Sequence, residues 1–137
     1  MAFAVALGVG SFAAAKVPAV KRLFLGRADR EEAVVLGAAR AFRTFGVGET
    51  SGRTGLLIYV SLFERSAVVL GDVALARVLT PSDYAAIRDV LIDGMRGGHI
   101  EQALVAAITK AGDILAERMP RAADDQPEIT DTLRLLD

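Results

Sequence analysis

Residues 56–62 read Leu-Leu-Ile-Tyr-Val-Ser-Leu, a short run that is apolar at almost every position and rich in β-branched and aromatic side chains. Such a run is typical of a strand buried on both faces, in the middle of a sheet that helices cover. A polar turn follows at residues 63–66, and a second apolar run, at residues 67–70, ends at Gly71-Asp72. Two strands joined by about four residues predict an antiparallel hairpin.

Amphipathic helices are predicted on both sides of this hairpin in the sequence. The first covers residues 29–45, where apolar side chains recur at spacings of three and four and glycines follow. The second begins at Thr80-Pro81-Ser82-Asp83, because threonine is a favoured cap, proline suits the first helical position and Asp83 can complete a capping box. The third runs from near His99 to Arg118 and ends before Pro120.

The order helix, hairpin, helix, helix predicts an α/β fold in which helices pack on a small mixed β-sheet, a sandwich-like αββαα core. Two strands alone make a marginal sheet, so at least one further strand is expected. Its sources are residues 1–10, the tail at residues 129–136 or a region outside this sequence. We divide the chain into an apolar and basic segment (1–24), a folded domain (29–120) and a polar linker with a tail (121–137).

The amino-terminal segment is apolar or small throughout residues 2–15 and is followed by Lys16, Pro18, Lys21 and Arg22. It is shorter than the ~20 residues of a membrane-spanning helix. Its length suits a signal peptide, but no positive charge precedes it. Three alternatives are open: the stub of a membrane anchor, an uncleaved export segment, or an apolar helix or strand of the core. The cations would suit the cytoplasmic flank of a membrane helix.

Composition excludes several kinds of chemistry. The 137 residues carry a net charge of −1, one histidine and no cysteine, so disulfides, disulfide-linked partners, thiol catalysis and cysteine-ligated metals are excluded. The balanced charge argues against a nucleic-acid partner. Glycines at 48, 52 and 55 follow a helix and open a strand, the reverse of a phosphate-binding loop. A helix-capping or exposed position is favoured for His99 over the role of a general base, which would need a partner and a nucleophile nearby. Ser61 lacks the surroundings of a catalytic nucleophile, and no catalytic residue is predicted.

Polar residues at the two ends of the hairpin are the candidates for a binding site. Asp72 lies at the open end, close to the loop that enters the first strand, so Glu49 and Thr50 of that loop are candidate partners of Asp72 around a divalent cation such as calcium. An ion pair between Arg53 and Asp72 that holds the loop is the favoured alternative. Glu64 lies in the turn at the opposite end, roughly 15 Å away, too far to share an ion with Asp72.

A pattern longer than any of these motifs resembles the TPM domain. It consists of Ala38–Phe42, Gly46, Thr50, Arg53-Thr54-Gly55, the run at residues 56–62, Glu64-Arg65, the run ending in Gly71-Asp72, Ala107-Ile108, Gly112, Leu115 and Pro120. The resemblance covers roughly residues 38–120, and its most specific part extends from Thr50 to Asp72. Many TPM domains carry a strand and a further helix before the equivalent of residue 38, where this chain has its apolar and basic segment. The resemblance therefore leaves the sheet one strand short.

The resemblance implies a helix-covered α/β domain, usually tethered to a membrane and facing the periplasm or a lumen. Some members of the family look like weak phosphatases, and some bind calcium or other divalent ions. We therefore expect a membrane-associated, non-enzymatic accessory domain that contacts a membrane or a membrane protein, with a divalent cation as its candidate cofactor. The expected location is the inner membrane, facing the periplasm, although the basic flank also suits the cytoplasmic face. A weak metal-dependent phosphatase, with Asp72 as a metal ligand and Arg53 on the phosphate, is the alternative.

Overall fold

A computed structural model describes residues 3–8, 27–120 and 133–136 of the chain. In these residues the strands are β1 (Phe3–Gly8), β2 (Leu56–Ser61), β3 (Ser66–Gly71) and β4 (Leu133–Leu136). The α-helices are α1 (Arg27–Thr44), α2 (Val73–Val78), α3 (Pro81–Gly97) and α4 (Ile100–Arg118), and a 3₁₀ turn covers Val47–Glu49. No helix in the described part of the chain is both long and apolar enough to cross a bilayer.

The four strands form one mixed sheet in the order β3-β2-β1-β4. β2 and β3 form the predicted antiparallel hairpin, with Leu56 opposite Gly71 at the open end and Ser61 opposite Ser66 at the turn. β1 pairs in parallel with both β2 and β4. A further strand was expected from residues 1–10 or from the tail, and this is confirmed at both places, by Phe3–Gly8 and by Leu133–Leu136. The sheet is therefore not left one strand short, as the family resemblance implied. The linker at residues 121–128 lies outside the described residues.

Side chains of β2 alternate between two hydrophobic cores, as the two-residue period of a strand requires. Leu56, Ile58 and Val60 face the core formed with α2, α3 and α4, while Leu57 and Tyr59 face the core formed with α1. All but one residue of β2 are buried. The prediction of a strand covered on both faces is confirmed, and so is the α/β sandwich.

The predicted helices are confirmed, and one helix was missed. α1, α3 and α4 match the three predicted segments to within about two residues at each end. The short helix α2 was not predicted, although Asp72 immediately before it is a residue type that favours helix caps. Its Leu75 is fully buried in the larger core, so α2 covers the sheet directly beyond the open end of the hairpin.

The start of α3 is held by the capping box that the sequence predicts. Thr80 Oγ1 accepts a hydrogen bond from the Asp83 amide at 3.2 Å, and the Asp83 carboxylate accepts one from the Thr80 amide at 2.8 Å. The pKa of Asp83 is lowered mainly by the hydrogen bond from the Thr80 backbone, with a smaller contribution from the nearby guanidinium of Arg118. Both orphan amides at this helix end therefore have partners.

Replacing Thr80 with alanine should lower the free energy of unfolding by about 1 kcal/mol, because the alanine cannot accept the hydrogen bond of the Asp83 amide. Urea unfolding followed by circular dichroism would measure the loss. Ser82→Ala in the same exposed turn is the control, and a loss no larger for Thr80→Ala than for this control would contradict the prediction.

Candidate functional site

The loop of residues 46–55 is a compact turn rather than an open segment. The buried Thr50 organises it: the Arg53 amide donates to the Thr50 carbonyl oxygen at 3.0 Å, and the Thr54 amide donates to Thr50 Oγ1 at 3.0 Å. Arg53 has a φ of 54°, a left-handed conformation that non-glycine residues adopt uncommonly. The hydrogen bonds to Thr50 hold Arg53 in this conformation.

Gly55, at the end of this loop, is in direct contact with the 3₁₀ turn at its beginning. A Cβ atom at position 55 would lie 2.8 Å from the carbonyl carbon of Val47 and closer still to its carbonyl oxygen. Gly55 is buried, and its own carbonyl oxygen accepts a hydrogen bond from the Asp72 amide at 2.9 Å. The backbone of the loop, the 3₁₀ turn and the end of β3 therefore meet at this glycine.

Asp72 lies at the open end of the hairpin and caps α2. Its side chain is only 5% exposed, and Oδ1 accepts a hydrogen bond from the Val73 amide at 2.8 Å. A carboxylate at this position also benefits from the positive end of the helix dipole. The backbone amide of Asp72 is bonded to the Gly55 carbonyl oxygen, so Asp72 connects the loop, the hairpin and α2.

Arg53 forms the ion pair with Asp72 that the sequence offers as the alternative to a metal site. Its Nη2 donates to Oδ1 of Asp72 at 3.1 Å, and its Nε lies 2.8 Å from Oδ2. The Arg53 side chain is 55% exposed. A backbone hydrogen bond from the Ala74 amide to the Arg53 carbonyl oxygen, 3.1 Å long, reinforces the contact between the loop and α2.

Oδ2 of Asp72 keeps unused hydrogen-bonding capacity. It is buried, and no donor among the described residues makes a hydrogen bond to it, although Nε of Arg53 lies 2.8 Å away. A Cβ atom at position 48 would lie 3.8 Å from this oxygen, so the oxygen faces the 3₁₀ turn.

The candidate metal ligands only partly suit a hard cation. Calcium takes six to eight oxygen ligands. Thr50 Oγ1 is close to the loop backbone and is already bonded to Thr54, while the exposed Glu49 turns its carboxylate towards Gly46. Across residues 27–120 and the short stretches at each end that the structure describes, no group of three or more histidine, aspartate or glutamate side chains is arranged to hold a metal. In this arrangement the Asp72 carboxylate is occupied by Arg53, and a cation would bind there only if Arg53 moved away.

Glu64 belongs to a separate polar group at the turn of the hairpin. Its carboxylate accepts a hydrogen bond from the Ser61 hydroxyl, and Ser61 is itself buried. The pKa of the nearby Tyr59 is raised, first by burial and then by the negative charge of Glu64. The structure thus places Glu64 and Asp72 at opposite ends of a hairpin of six residue pairs, as the hairpin geometry predicts.

His99 is exposed, one of the two environments that the sequence favoured over a catalytic one. It occupies the position before α4, its side chain makes no capping hydrogen bond, and it is exposed. Neither α2 nor the contact of Gly55 with Val47 was predicted from the sequence. The Gly71-Asp72 pair before an apolar stretch is the signal that could have revealed the helix start, whereas the close contact at Gly55 depends on tertiary structure.

Comparisons with known proteins agree on the fold. The model of the TPM domain family matches residues 17–114. The solution NMR structure of the BA42 protein from the psychrophilic bacterium Bizionia argentinensis is similar over 97% of this chain and 79% of that protein, with a TM-score of 0.74 and 24% sequence identity. At this identity the likeness concerns the fold alone. No curated protein matches the chain significantly.

Proposed function

The chain belongs to the TPM domain family, and on this premise we propose that it is a non-enzymatic accessory domain that binds a partner protein at a membrane through the loop of residues 46–55. The observation that carries the proposal is the set of contacts made by the Asp72 carboxylate. This buried carboxylate is engaged by the Val73 amide and by Arg53, so its evident role is to hold the loop in one shape. A polar group committed in this way favours recognition over chemistry.

The loop has the properties of a preorganised recognition element. Glu49, Gly52 and Arg53 are exposed at its surface, while Thr50 and Gly55 anchor it from below through the hydrogen bonds described above. A loop that is already ordered loses less conformational entropy when a partner binds. Binding residues also tend to lie on loops that a rigid scaffold positions.

The membrane part of the proposal is supported by the family and by the basic residues Lys16, Lys21 and Arg22 in the sequence. It does not draw on Phe3–Gly8, since those residues pair within the sheet. The proposed location is the inner membrane, with the domain facing the periplasm. The occupant of the loop is then a membrane protein or the extramembrane part of one.

The proposal also includes a divalent cation bound at Asp72. The free capacity of Asp72 Oδ2 and the nearby Glu49 and Thr50 support it, but a cation would compete with Arg53 for the same carboxylate. Calcium titration followed by thermal unfolding tests it, because a ligand that binds only the native state raises the melting temperature. We expect a calcium-dependent rise that is larger in Arg53→Ala, where the competitor is gone, and absent in Asp72→Asn. Equal responses in all three proteins would contradict a cation at Asp72.

Partner binding is tested by cross-linking the tagged full chain in native membranes. Gly52→Tyr places a bulky side chain on the exposed face of the loop, where a Cβ atom meets only the Thr54 side chain, at 3.5 Å. The matched control is Gly112→Tyr on α4, where a Cβ atom has nothing within 4 Å. We expect the cross-linked partner to be lost in Gly52→Tyr and kept in Gly112→Tyr.

Two results would overturn the proposal. One is a full chain that fractionates away from membranes and cross-links to no other protein. The other is hydrolysis of p-nitrophenyl phosphate that needs a divalent cation and disappears in Asp72→Asn, which would instead establish the phosphatase alternative.

A further inference from the structure

β3 is an edge strand whose sequence lacks the usual protection. Among the residues that the structure describes, the sheet order leaves one side of β3 without a neighbouring strand. Its residues, Ser-Ala-Val-Val-Leu-Gly, include no charge and no proline, although edge strands are commonly protected by lysine, proline or other charges. At the other edge, β4 carries Arg134 in its four residues. An apolar edge without such protection is a surface on which another strand can pair.

The hydrogen-bond pattern identifies the backbone groups that face outwards. The Asp72 amide bonds the Gly55 carbonyl oxygen across the hairpin. Because hydrogen-bonded pairs alternate along an antiparallel ladder, Leu70, Val68 and Ser66 turn their amide and carbonyl groups towards β2. Ala67, Val69 and Gly71 therefore turn theirs away from β2, to the free edge.

An apolar groove runs beside this edge. Its volume is about 520 Å³, and it is lined by β3 together with Ala76 of α2, Leu79 after that helix, and Tyr84 and Ala85 of α3. Arg88 is the charged residue of this lining. A strand added at the edge would therefore place alternate side chains on an apolar wall.

Arg88 and its neighbour Asp89 lie level with the middle of β3. The Tyr84 hydroxyl is beside Gly71 at one end of the strand, and Ile92 and Arg96 share a cavity with Ser66 at the other. Arg88 lies halfway between them on α3. Arg88 and Asp89 are both exposed and form an ion pair of 2.8 Å.

We propose that two copies of this chain pair through their β3 edges, antiparallel across a two-fold axis at Val69, into one continuous eight-stranded sheet. Centring the pairing on Val69 places Val69 opposite its own copy and Ala67 opposite Gly71, so all three outward-facing residues take part. An antiparallel pair of this kind is isologous, with the same surface used by both partners.

Charge complementarity favours a second copy as the occupant. Under the two-fold axis, Arg88 of one copy approaches Asp89 of the other, and the reverse contact forms at the same time. A pair of opposite charges near the axis is therefore complementary to the same pair on the other copy. The net charge of −1 is small, so long-range repulsion between two copies is weak. The strand without protective charges then lies inside the assembly instead of being exposed to aggregation.

Sedimentation velocity of the full chain tests the pairing. We expect a dimer at micromolar concentrations for the wild type and a monomer for Val69→Pro, because proline removes an outward-facing amide without removing a hydrogen bond to β2. Arg88→Glu should weaken the dimer by about tenfold or more, because it gathers four carboxylates near the axis. The reversed pair Arg88→Asp/Asp89→Arg should restore it. Arg43→Glu, the same change at an exposed site on α1, is the matched control and should stay dimeric.

The charge variants keep the inference testable even if Val69→Pro disturbs the fold, since Arg88 and Asp89 are exposed. A wild type that stays monomeric throughout the micromolar range would overturn the inference. So would a dimer that survives Arg88→Glu unchanged, because its interface would then lie elsewhere on the molecule.

Discussion

Replacing Gly55 with alanine should destabilise the domain by about 3 kcal/mol or more, a large effect for adding one methyl group. The new Cβ atom would meet the Val47 backbone at 2.8 Å and less. A side chain could rotate away from such a clash, but the backbone of Val47 belongs to the 3₁₀ turn and cannot. Relief requires the loop to separate from β3, which would break the hydrogen bond between the Asp72 amide and the Gly55 carbonyl oxygen.

Gly112→Ala is the matched control for this substitution. Position 112 lies within α4, and a Cβ atom there has nothing within 4 Å. Alanine favours a helix interior over glycine by up to about 1 kcal/mol, so this variant should be slightly more stable than the wild type. Urea unfolding of both variants measures the contrast. A Gly55→Ala protein within about 0.5 kcal/mol of the wild type, the ordinary range for harmless surface changes, would show that the close contact at Val47 is absent.

The local parts of this fold could be predicted from the sequence because each has a local physical cause. The hairpin follows from two apolar runs around a polar turn, and the start of α3 follows from Thr80, Pro81 and Asp83. α2 escaped prediction because its six residues, Val73–Val78, are too few to show a helical period. The parallel pairing of Phe3–Gly8 with β2 could not be predicted either, because it joins residues about 50 positions apart and local periodicity does not indicate such contacts.

The candidate site was predictable in its location but not in its chemistry. Asp72 and Arg53 could be expected near each other because both lie at the open end of the hairpin, and the structure shows them in contact. Which group would neutralise Asp72 depended on the left-handed backbone of Arg53, and on Glu49 turning towards Gly46. Both are outcomes of the tertiary packing around Thr50 and Gly55, to which the residue types alone give no guide.

Asp72→Ala should be the most damaging substitution of a polar residue at the site, with an expected loss of about 2–3 kcal/mol. Removing a helix cap costs about 1 kcal/mol, and losing a hydrogen bond to a charged partner costs about 1.5–3 kcal/mol. The second value is reduced here, because Arg53 is 55% exposed and water can solvate it once Asp72 is gone. Asp113→Ala, at an exposed carboxylate on α4, is the control and should change stability little.

Asp72→Asn separates the two roles of this carboxylate. Asparagine is as good a helix cap as aspartate, so this variant keeps an oxygen that accepts from the Val73 amide, but it loses the charge and one of the two oxygens that face Arg53. We expect it to cost about half as much as Asp72→Ala. In the Asp72→Asn background, Arg53→Ala should cost about 1 kcal/mol less than in the wild type, and this difference is the coupling energy of the ion pair.

The same cycle distinguishes a loop held by Arg53 from a loop held by its backbone alone. If the ion pair fixes the loop, Arg53→Ala leaves a buried carboxylate with one hydrogen bond, and this substitution should cost clearly more in the wild type than in the Asp72→Asn background. If the bonds to Thr50 suffice, Arg53→Ala costs the same in both backgrounds. The proposed function attributes the shape of the recognition loop to the contact between Arg53 and Asp72. An equal cost in both backgrounds would mean that the loop keeps its shape without this contact.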